Sequence, residues 1–498
     1  MNKKNTIDKY LNLILNFILI FLITITFYLI YKIYNLLIVY DFWISPLIQF
    51  YIFILILFIL LLISFKFIFQ LDQKYKNNLS IFFLSSIITI YSLEIINEII
   101  FPTFNAVDGG KYIEKIKKKY SKKNNITLDN RTIYEFISDY RKKNIESYPN
   151  FKPNLLIKHI EDNSTSKNYN NGFKINDGKI LPLSNISNII TTTGNEGGFY
   201  PIIKTDKYGF NNSNKVYESR IDVVLVGDSF VEGSDVRPIN NISSNLIKEN
   251  FNTLNLGKSH SGPLVQFAIF KEYAISHKPK KVFWFYFAND HKDLTNEINS
   301  DLLLKYLYDY SFSQKLKKKQ IIIDRKLKHY FNIIEKNYIK NEDKNENYYS
   351  INYSESLTLK RIIRVFKLFN LRNRLGLLID MKPIYADSNQ MKIQENIIKS
   401  TNKIIESWNG ELIFVLIPQY TKDMAFLSQE LDWVVETNVT SKIIKILNKN
   451  HIKFINLEEH IDNHNDPLSL YPFRIPIHFN EKGYLFIADI LTKELKAE

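Results

Sequence analysis

The sequence predicts an α/β protein: a parallel sheet covered by helices in the second half, carried behind an N-terminal bundle of about three transmembrane helices. Three observations predict it. Three long apolar runs open the chain. From residue 221 onward, short β-type blocks alternate with helix-length amphipathic blocks, the pattern of a parallel sheet with helices on both faces. The first of those blocks, Val223-Val224-Leu225-Val226, is uniformly apolar, as a strand buried on both faces must be, and it runs directly into Gly227-Asp228-Ser229.

The apolar runs cover about residues 11–31, 46–68 and 79–101. Each approaches the roughly 20 residues that a helix needs to cross the hydrocarbon of a bilayer. The first two are uncharged through their centres, and the third carries Glu94 and Glu98 near its far end. A cleaved leader has a shorter apolar core and a small-residue cleavage site, so the runs read as spans. Lys3, Lys4 and Lys9 precede the first, and Lys66, Lys74 and Lys76 flank the link between the second and third. Positive ends stay in the cytoplasm. The expectation is a multi-pass cell-membrane protein whose domain beyond Phe101 is extracytoplasmic; if the third run does not cross, that domain faces the cytoplasm instead.

A length of 498 residues exceeds one ordinary domain. The divisions expected are a transmembrane region (1–102), a lead-in (103–215) and a sheet domain (216–498) with a helical insertion at about 294–390. The lead-in opens with a lysine-rich stretch, 111–125, expected to be a solvated juxtamembrane helix with cations available to anionic lipid. A short amphipathic helix follows at 134–141. Residues 161–178 read as an exposed polar loop. Residues 182–212 have little periodicity but several aromatic and turn residues, and read as irregular structure and edge strands that pack against the sheet.

Composition excludes several functions. The chain has 65 Lys and Arg against 51 Asp and Glu, a net charge of +14. Its lysines are scattered among Asn and Ile and form no nucleic-acid motif, so no nucleic acid is expected. There is no cysteine, which excludes disulfides, cysteine nucleophiles and thiolate metal sites. No cofactor or metal motif is present. His260 and His291 read as loop residues.

In the sheet domain, strands are expected at 221–226, 253–256, 281–286, 411–417 and 452–457. Helices are expected at 242–250, 263–277, 392–408, 428–448 and 481–496. Within the insertion, 302–312 reads as a helix, and 359–378 as a basic amphipathic helix that either faces water or forms a lid meeting acidic glycan or lipid headgroups. Open α/β sheets gather chemistry at the carboxyl ends of their strands. Gly227 lets the chain turn sharply there, leaving Ser229 at the sheet's mouth. Gly257, Ser259 and Ser261 follow the second strand, and Ala288-Asn289-Asp290 follows the third. Ile477-His478-Phe479-Asn480 precedes the last helix, with Asn480 as its N-cap.

This order of blocks resembles the SGNH (GDSL-type) hydrolase superfamily across residues 220–498. The 206–212 segment resembles the lead-in of some membrane-attached bacterial members. The resemblance implies a three-layer αβα domain and a serine esterase. Ser229 would be the nucleophile and His478 its base. The N–H groups of Ser229 and Gly257 and the side-chain amide of Asn289 would form the oxyanion hole. Two positions depart from the pattern. Phe287 stands where the family usually has glycine, two residues before Asn289. Ile475 stands where the family's acid lies, three residues before His478. Asp466, Asp462 or a backbone carbonyl could take the acid's place; otherwise a Ser–His dyad or an inactive site results.

The resemblance also implies a substrate class: acyl esters, chiefly O-acetyl groups on a cell-envelope glycan, turned over through an acyl-serine intermediate without cofactor or metal. The same site would serve an O-acyltransferase acting on polysaccharide with a membrane acyl-donor partner. The absent acid keeps open a non-catalytic envelope-binding protein.

Overall fold

The computed structural model describes residues 3–34, 46–100, 106–157, 171–176, 178–342, 362, 365–366, 368, 370–371, 388–418 and 438–497. The chain forms two compact units, one of Met1–Phe104 with Asn347–Met381, the other of Asn105–Glu346 with Lys382–Glu498.

The first unit contains helices α1 (Lys3–Tyr34), α2 (Pro46–Ile68) and α3 (Gln73–Ile100). All three are long and apolar enough to cross a membrane, with mean hydropathies of 2.7, 2.8 and 2.0. Their large side chains, Phe27, Leu60 and Phe82 among them, point outward, as lipid-facing residues do. A polar clamp joins α1 to α3 at one end. Gln73 donates to Asn12 Oδ1 at 3.1 Å, and Asn77 to Asp8 Oδ1 at 2.6 Å.

The second unit opens with α4 (Ala106–Lys123) and α5 (Ile133–Arg141). Thr132 and Glu135 start α5 with a reciprocal capping box. Two small antiparallel ladders follow, β1 (Phe173–Ile175) with β2 (Gly178–Ile180), and β3 (Ile190–Thr191) with β4 (Ile203–Lys204). The first lies where an open polar loop was expected. Its inward residues, Phe173 and Ile180, are buried in the main core.

The sheet consists of β5 (Val223–Val226), β6 (Thr253–Asn255), β7 (Lys281–Tyr286), β8 (Glu411–Leu416) and β9 (Lys453–Asn456), all parallel in the order β6-β5-β7-β8-β9. Period-two alternation divides its side chains cleanly. Val224, Val226, Val282, Trp284, Phe414 and Leu416 face one core; Val223, Leu225, Phe283, Phe285, Ile413 and Val415 face the other. The first core is covered by α8 (Pro263–Ile269), α12 (Ser388–Glu406) and α13 (Asn438–Lys449), the second by α7 (Ile242–Lys248), α14 (Leu457–Asp462) and α15 (Glu481–Lys496). Between α8 and α12 lie α9 (Asn289–Glu297), α10 (Asp301–Tyr308) and α11 (Gln320–Glu342). Most of the expected 359–378 helix, and the start of the one expected at 428–448, fall outside the described residues.

The chain leaves β5 for β6 on one side, then crosses to β7 on the other. The carboxyl end of β5 is therefore the switch point of the sheet, where an open α/β fold leaves a crevice. The four-residue helix α6 (Ser229–Glu232) begins there.

The 206–212 segment builds the sheet's outer edge. Buried Asp206 accepts from the N–H groups of Tyr208 and Phe210, from Asn212 Nδ2 and from the Tyr217 hydroxyl. Asn212 then exchanges two hydrogen bonds with the Asn255 backbone, at 2.8 and 2.9 Å, closing the open side of β6. Gly209 makes this turn possible. Its φ is +86°, and a Cβ there would lie 1.9 Å from the Asn185 carbonyl oxygen. Gly209→Ala is expected to cost at least about 1–3 kcal/mol from backbone strain alone. Thermal unfolding of the full chain in detergent checks this, with Gly178→Ala, where a Cβ meets nothing within 4 Å, as the strained but unclashed comparison.

Candidate active site

Asp228 places Ser229. Its side chain caps α6 by accepting from the Phe230 N–H at 3.0 Å, and Gly233, at φ +80°, ends the helix one turn later. The whole element is pinned from behind. Asn211 donates to the Glu232 carbonyl at 2.8 Å, and the Glu232 carboxylate meets Lys258 at 2.5 Å in a pair almost wholly shielded from solvent. Asn150 and Ser259 complete the shell around that pair. Burial pushes the Glu232 carboxyl upward, but the Lys258 ammonium outweighs it and holds the group below its ordinary value. A buried ion pair hydrogen-bonded on both sides fixes geometry.

His478 comes from 249 residues further along the chain, yet its Nε2 lies 2.8 Å from Ser229 Oγ. The ring is placed by its loop. Asn480 caps α15 through the N–H groups of Lys482 and Gly483, and Asn480 N–H is bonded to the Leu470 carbonyl. Phe473 and Arg474, at φ +52° and +62°, turn the chain sharply before it. For a bulky residue such as Phe473 that backbone is strained, and packing retains it: Tyr120 meets the Phe473 ring edge-on at 5.8 Å. Ile475, at the family's usual acid position, is buried beside Phe473. Phe287, the other departure, packs 4.9 Å from the Phe230 ring, which in turn lies 4.8 Å from the His478 ring. The aromatic substitution therefore backs the imidazole.

The second ring nitrogen has a partner that sequence reasoning missed. His478 Nδ1 lies 2.8 Å from Glu196 Oε2, and Asp235 Oδ2 stands 3.9 Å away. Neither Asp466 nor Asp462 fills this position: Asp466 is paired with Arg474 at 2.6 Å, and Asp462 is exposed. Glu196 sits in Gly194-Asn195-Glu196-Gly197-Gly198, in the lead-in. Asp235 Oδ1 accepts from the Glu196 N–H at 2.9 Å, and a Cβ at Gly194 would come within 2.8 Å of that same oxygen. Asp235 itself adopts φ +63°, held by its N–H to Thr193 Oγ1 at 3.0 Å. The signal in the sequence was the acid enclosed by three glycines, since close backbone approach of this kind requires them.

Charge in the cluster follows from these contacts. Burial opposes charging the His478 ring, but the Glu196 carboxylate, with help from Asp235 and Asp228, raises its pKa to about 9. Glu196 is held below its usual range, because the attraction of His478 and Lys117 exceeds the cost of burial. Asp235 is pushed to about 6 by burial and by the charge on Glu196. Lys117 belongs to α4, which is not simply solvated as expected. Ile116 and Tyr120 pack on Phe473 and Ile475, and Lys117 donates to the Asn195 carbonyl at 3.3 Å.

The two expected oxyanion groups lie differently. Asn289 opens α9, and its Nδ2 is 3.4 Å from Asp228 Oδ2. Its carbonyl oxygen is buried without a hydrogen-bond partner among the described residues. The next residue anchors it: Asp290 accepts from Gln266, and Gln266 accepts from the Trp284 indole. The Gly257 N–H donates to Asn255 Oδ1 at 2.9 Å, so serving an oxyanion would require sharing or exchanging that bond. A Cβ at Gly257 would lie 2.2 Å from the Glu232 nitrogen, which explains the glycine on packing grounds. Among the described residues, Glu196, Asp235 and His478 are also the one group that could hold a metal, with ligand atoms within 4.8 Å of one another. An ion there would break the Nδ1–Glu196 bond that orients the ring.

No family model and no curated protein matches the sequence. Solved structures do. A protein of the lipolytic G-D-S-L family from Desulfitobacterium hafniense DCB-2 matches at 13% identity and a TM-score of 0.28, over 55% of this chain and 98% of its own. The lipase/acylhydrolase from Enterococcus faecalis matches at 10% and 0.29, over 55% and 95%. LAE5, an alpha/beta hydrolase enzyme from the metagenome of Lake Arreo, Spain, matches at 9% and 0.26, over 55% and 94%.

Because a neutral ring is the form that can accept a proton, serine reactivity should rise with pH through an inflection near 9. Glu196→Gln removes the largest attraction and leaves burial, so the inflection should move down, toward or below the ordinary histidine value. Lys117→Met should move it the other way. The rate of serine modification by a phosphonate probe, followed from pH 6 to 10, measures all three.

Proposed function

We propose that the chain is a membrane-anchored serine esterase of the SGNH type, acting on acyl esters through an acyl-serine intermediate. The observation that carries this reading is the line Ser229 Oγ–His478 Nε2 and His478 Nδ1–Glu196, each contact 2.8 Å long. A serine hydroxyl is a weak nucleophile until a base takes its proton. Here the base touches the hydroxyl, and a carboxylate on the opposite nitrogen fixes the tautomer and balances the imidazolium that forms.

In the proposed reaction, Ser229 Oγ adds to the ester carbonyl while His478 Nε2 takes the hydroxyl proton. The carbonyl oxygen becomes an oxyanion, for which the Ser229 N–H and the Asn289 side-chain amide are the proposed donors. Collapse breaks the bond to the alcohol oxygen, which leaves with the proton from Nε2. Water then repeats the sequence on the acyl-serine, releasing the acid and restoring Ser229. Glu196 is not protonated at any step.

The three apolar helices favour a membrane anchor. The basic ends of the first span and of the second link favour an extracytoplasmic catalytic unit. By resemblance, the substrate is an O-acetylated envelope glycan. A sugar hydroxyl replacing water in the second half would make the same site an acyltransferase, and a membrane partner would then supply the acyl group. The ground for a non-catalytic reading was a histidine without an acid, and Glu196 beside Nδ1 supports the catalytic reading over it.

A fluorophosphonate should label the full chain in detergent. Ser229→Ala should abolish labelling, His478→Ala should slow it by at least about 10³-fold, and Ser234→Ala should leave it near the parent rate. Absence of labelling in folded parent protein would contradict the proposal. Incubating labelling-competent protein with an aryl acetate, with and without a glycan acceptor, separates hydrolysis from transfer.

A further inference from the structure

Glu94 lies inside the third apolar helix, α3, and is fully buried. An ionisable residue in such a helix needs partners. Its partners come from residues 276–277 positions later in the chain, within the insertion of the sheet domain. Glu94 Oε1 accepts from the Asn370 N–H at 2.7 Å and from Asn370 Nδ2 at 3.0 Å, and Oε2 accepts from the Leu371 N–H at 2.8 Å. One turn earlier on α3, the Tyr91 hydroxyl donates to the Phe366 carbonyl at 3.1 Å, and the two rings meet edge-on at 6.4 Å. Both contacts lie within one compact unit.

The depth of these contacts follows from helix geometry. The apolar window of α3 ends at Asn97. At 1.5 Å per residue, Glu94 lies about 4.5 Å inside that end and Tyr91 about 9 Å inside it. The insertion therefore meets α3 about 5–10 Å below the edge of the span, the depth at which amphipathic helices rest between headgroups and acyl chains. Its open side suits that setting: Ile362 is 48% exposed and Phe366 71% exposed. In sequence, the same stretch carries Arg361, Arg364, Lys367, Arg372 and Arg374, cations that favour anionic headgroups.

We propose that the described residues between Ile362 and Leu371 belong to an interfacial membrane element, seated on the third span at Tyr91 and Glu94, with lipid covering Ile362 and Phe366. The chain leaves the sheet domain after α11 and returns to it at α12, so this docking gives that domain a second attachment to the bilayer. This inference goes beyond the esterase reading and is independent of catalysis.

The absence of cysteine makes the test clean. The full chain, carrying Phe366→Cys or Tyr310→Cys with an environment-sensitive dye, is reconstituted in phosphatidylglycerol–phosphatidylcholine vesicles. Tyr310 is 70% exposed in the other unit and reports an aqueous position. The dye at 366 should be quenched by lipids spin-labelled near the headgroup, and shielded from aqueous iodide severalfold relative to the dye at 310. Tyr91→Cys with Phe366→Cys should form an intramolecular disulfide on oxidation, and adding Glu94→Ala should reduce its yield severalfold. Iodide reaching 366 as readily as 310 would overturn the proposal. So would a lipid-shielded 366 that forms no disulfide, because the element would then lie away from the third span.

Discussion

The imidazole of His478 is the point on which the second unit converges. Its two nitrogens join a hydroxyl from the end of the first sheet strand to a carboxylate from the lead-in, at 2.8 Å on each side. The three groups stand at positions 196, 229 and 478, so no local structure can bring them together. Only the completed sheet, the packed lead-in and the capped final helix do so. The rest of the unit can be understood as the rigidity this requires: Asp228 and Gly233 bound α6, the Glu232–Lys258 pair backs it, and Phe473 wedges the histidine loop against α4.

The arrangement has an electrostatic cost as well as a geometric one. A carboxylate that orients the ring also holds it protonated, and here the ring reaches about 9. Asp235, although pushed to about 6, is charged at the pH where the ring titrates and adds to that hold, while Lys117 offsets part of the negative field at Glu196. The balance of two acids, one lysine and one imidazole sets how much of the ring is available as a base. Since Lys117 lies on the helix that follows the third span in sequence, the lead-in contributes charge to the site as well as packing.

The sheet was legible because its signal is local. Continuous apolar runs such as 223–226 and 282–286 read as strands buried on both faces, and glycines and polar turns mark their ends. The positions of Ser229, Asn289 and His478 beside strand ends and a helix cap were legible for the same reason. Glu196 was not. It lies in a segment without periodicity, and its place at His478 depends on how the lead-in folds over the mouth of the sheet. The glycines around it were the one trace in the sequence. The buried face of α4 was hidden similarly, because lysines dominate its composition while Ile116 and Tyr120 do the packing.

The most direct test of this account is to trap the acyl-enzyme. The full chain is mixed with an aryl acetate, quenched in acid within seconds and digested for mass spectrometry. One acetyl group is expected, on the peptide containing Ser229. At pH 10, where the ring is mostly neutral in parent and variant alike, it should accumulate at the parent rate in Asp466→Asn and at least about tenfold more slowly in Glu196→Gln. Acetylation of a different residue, or equal rates in Glu196→Gln and the parent, would contradict it.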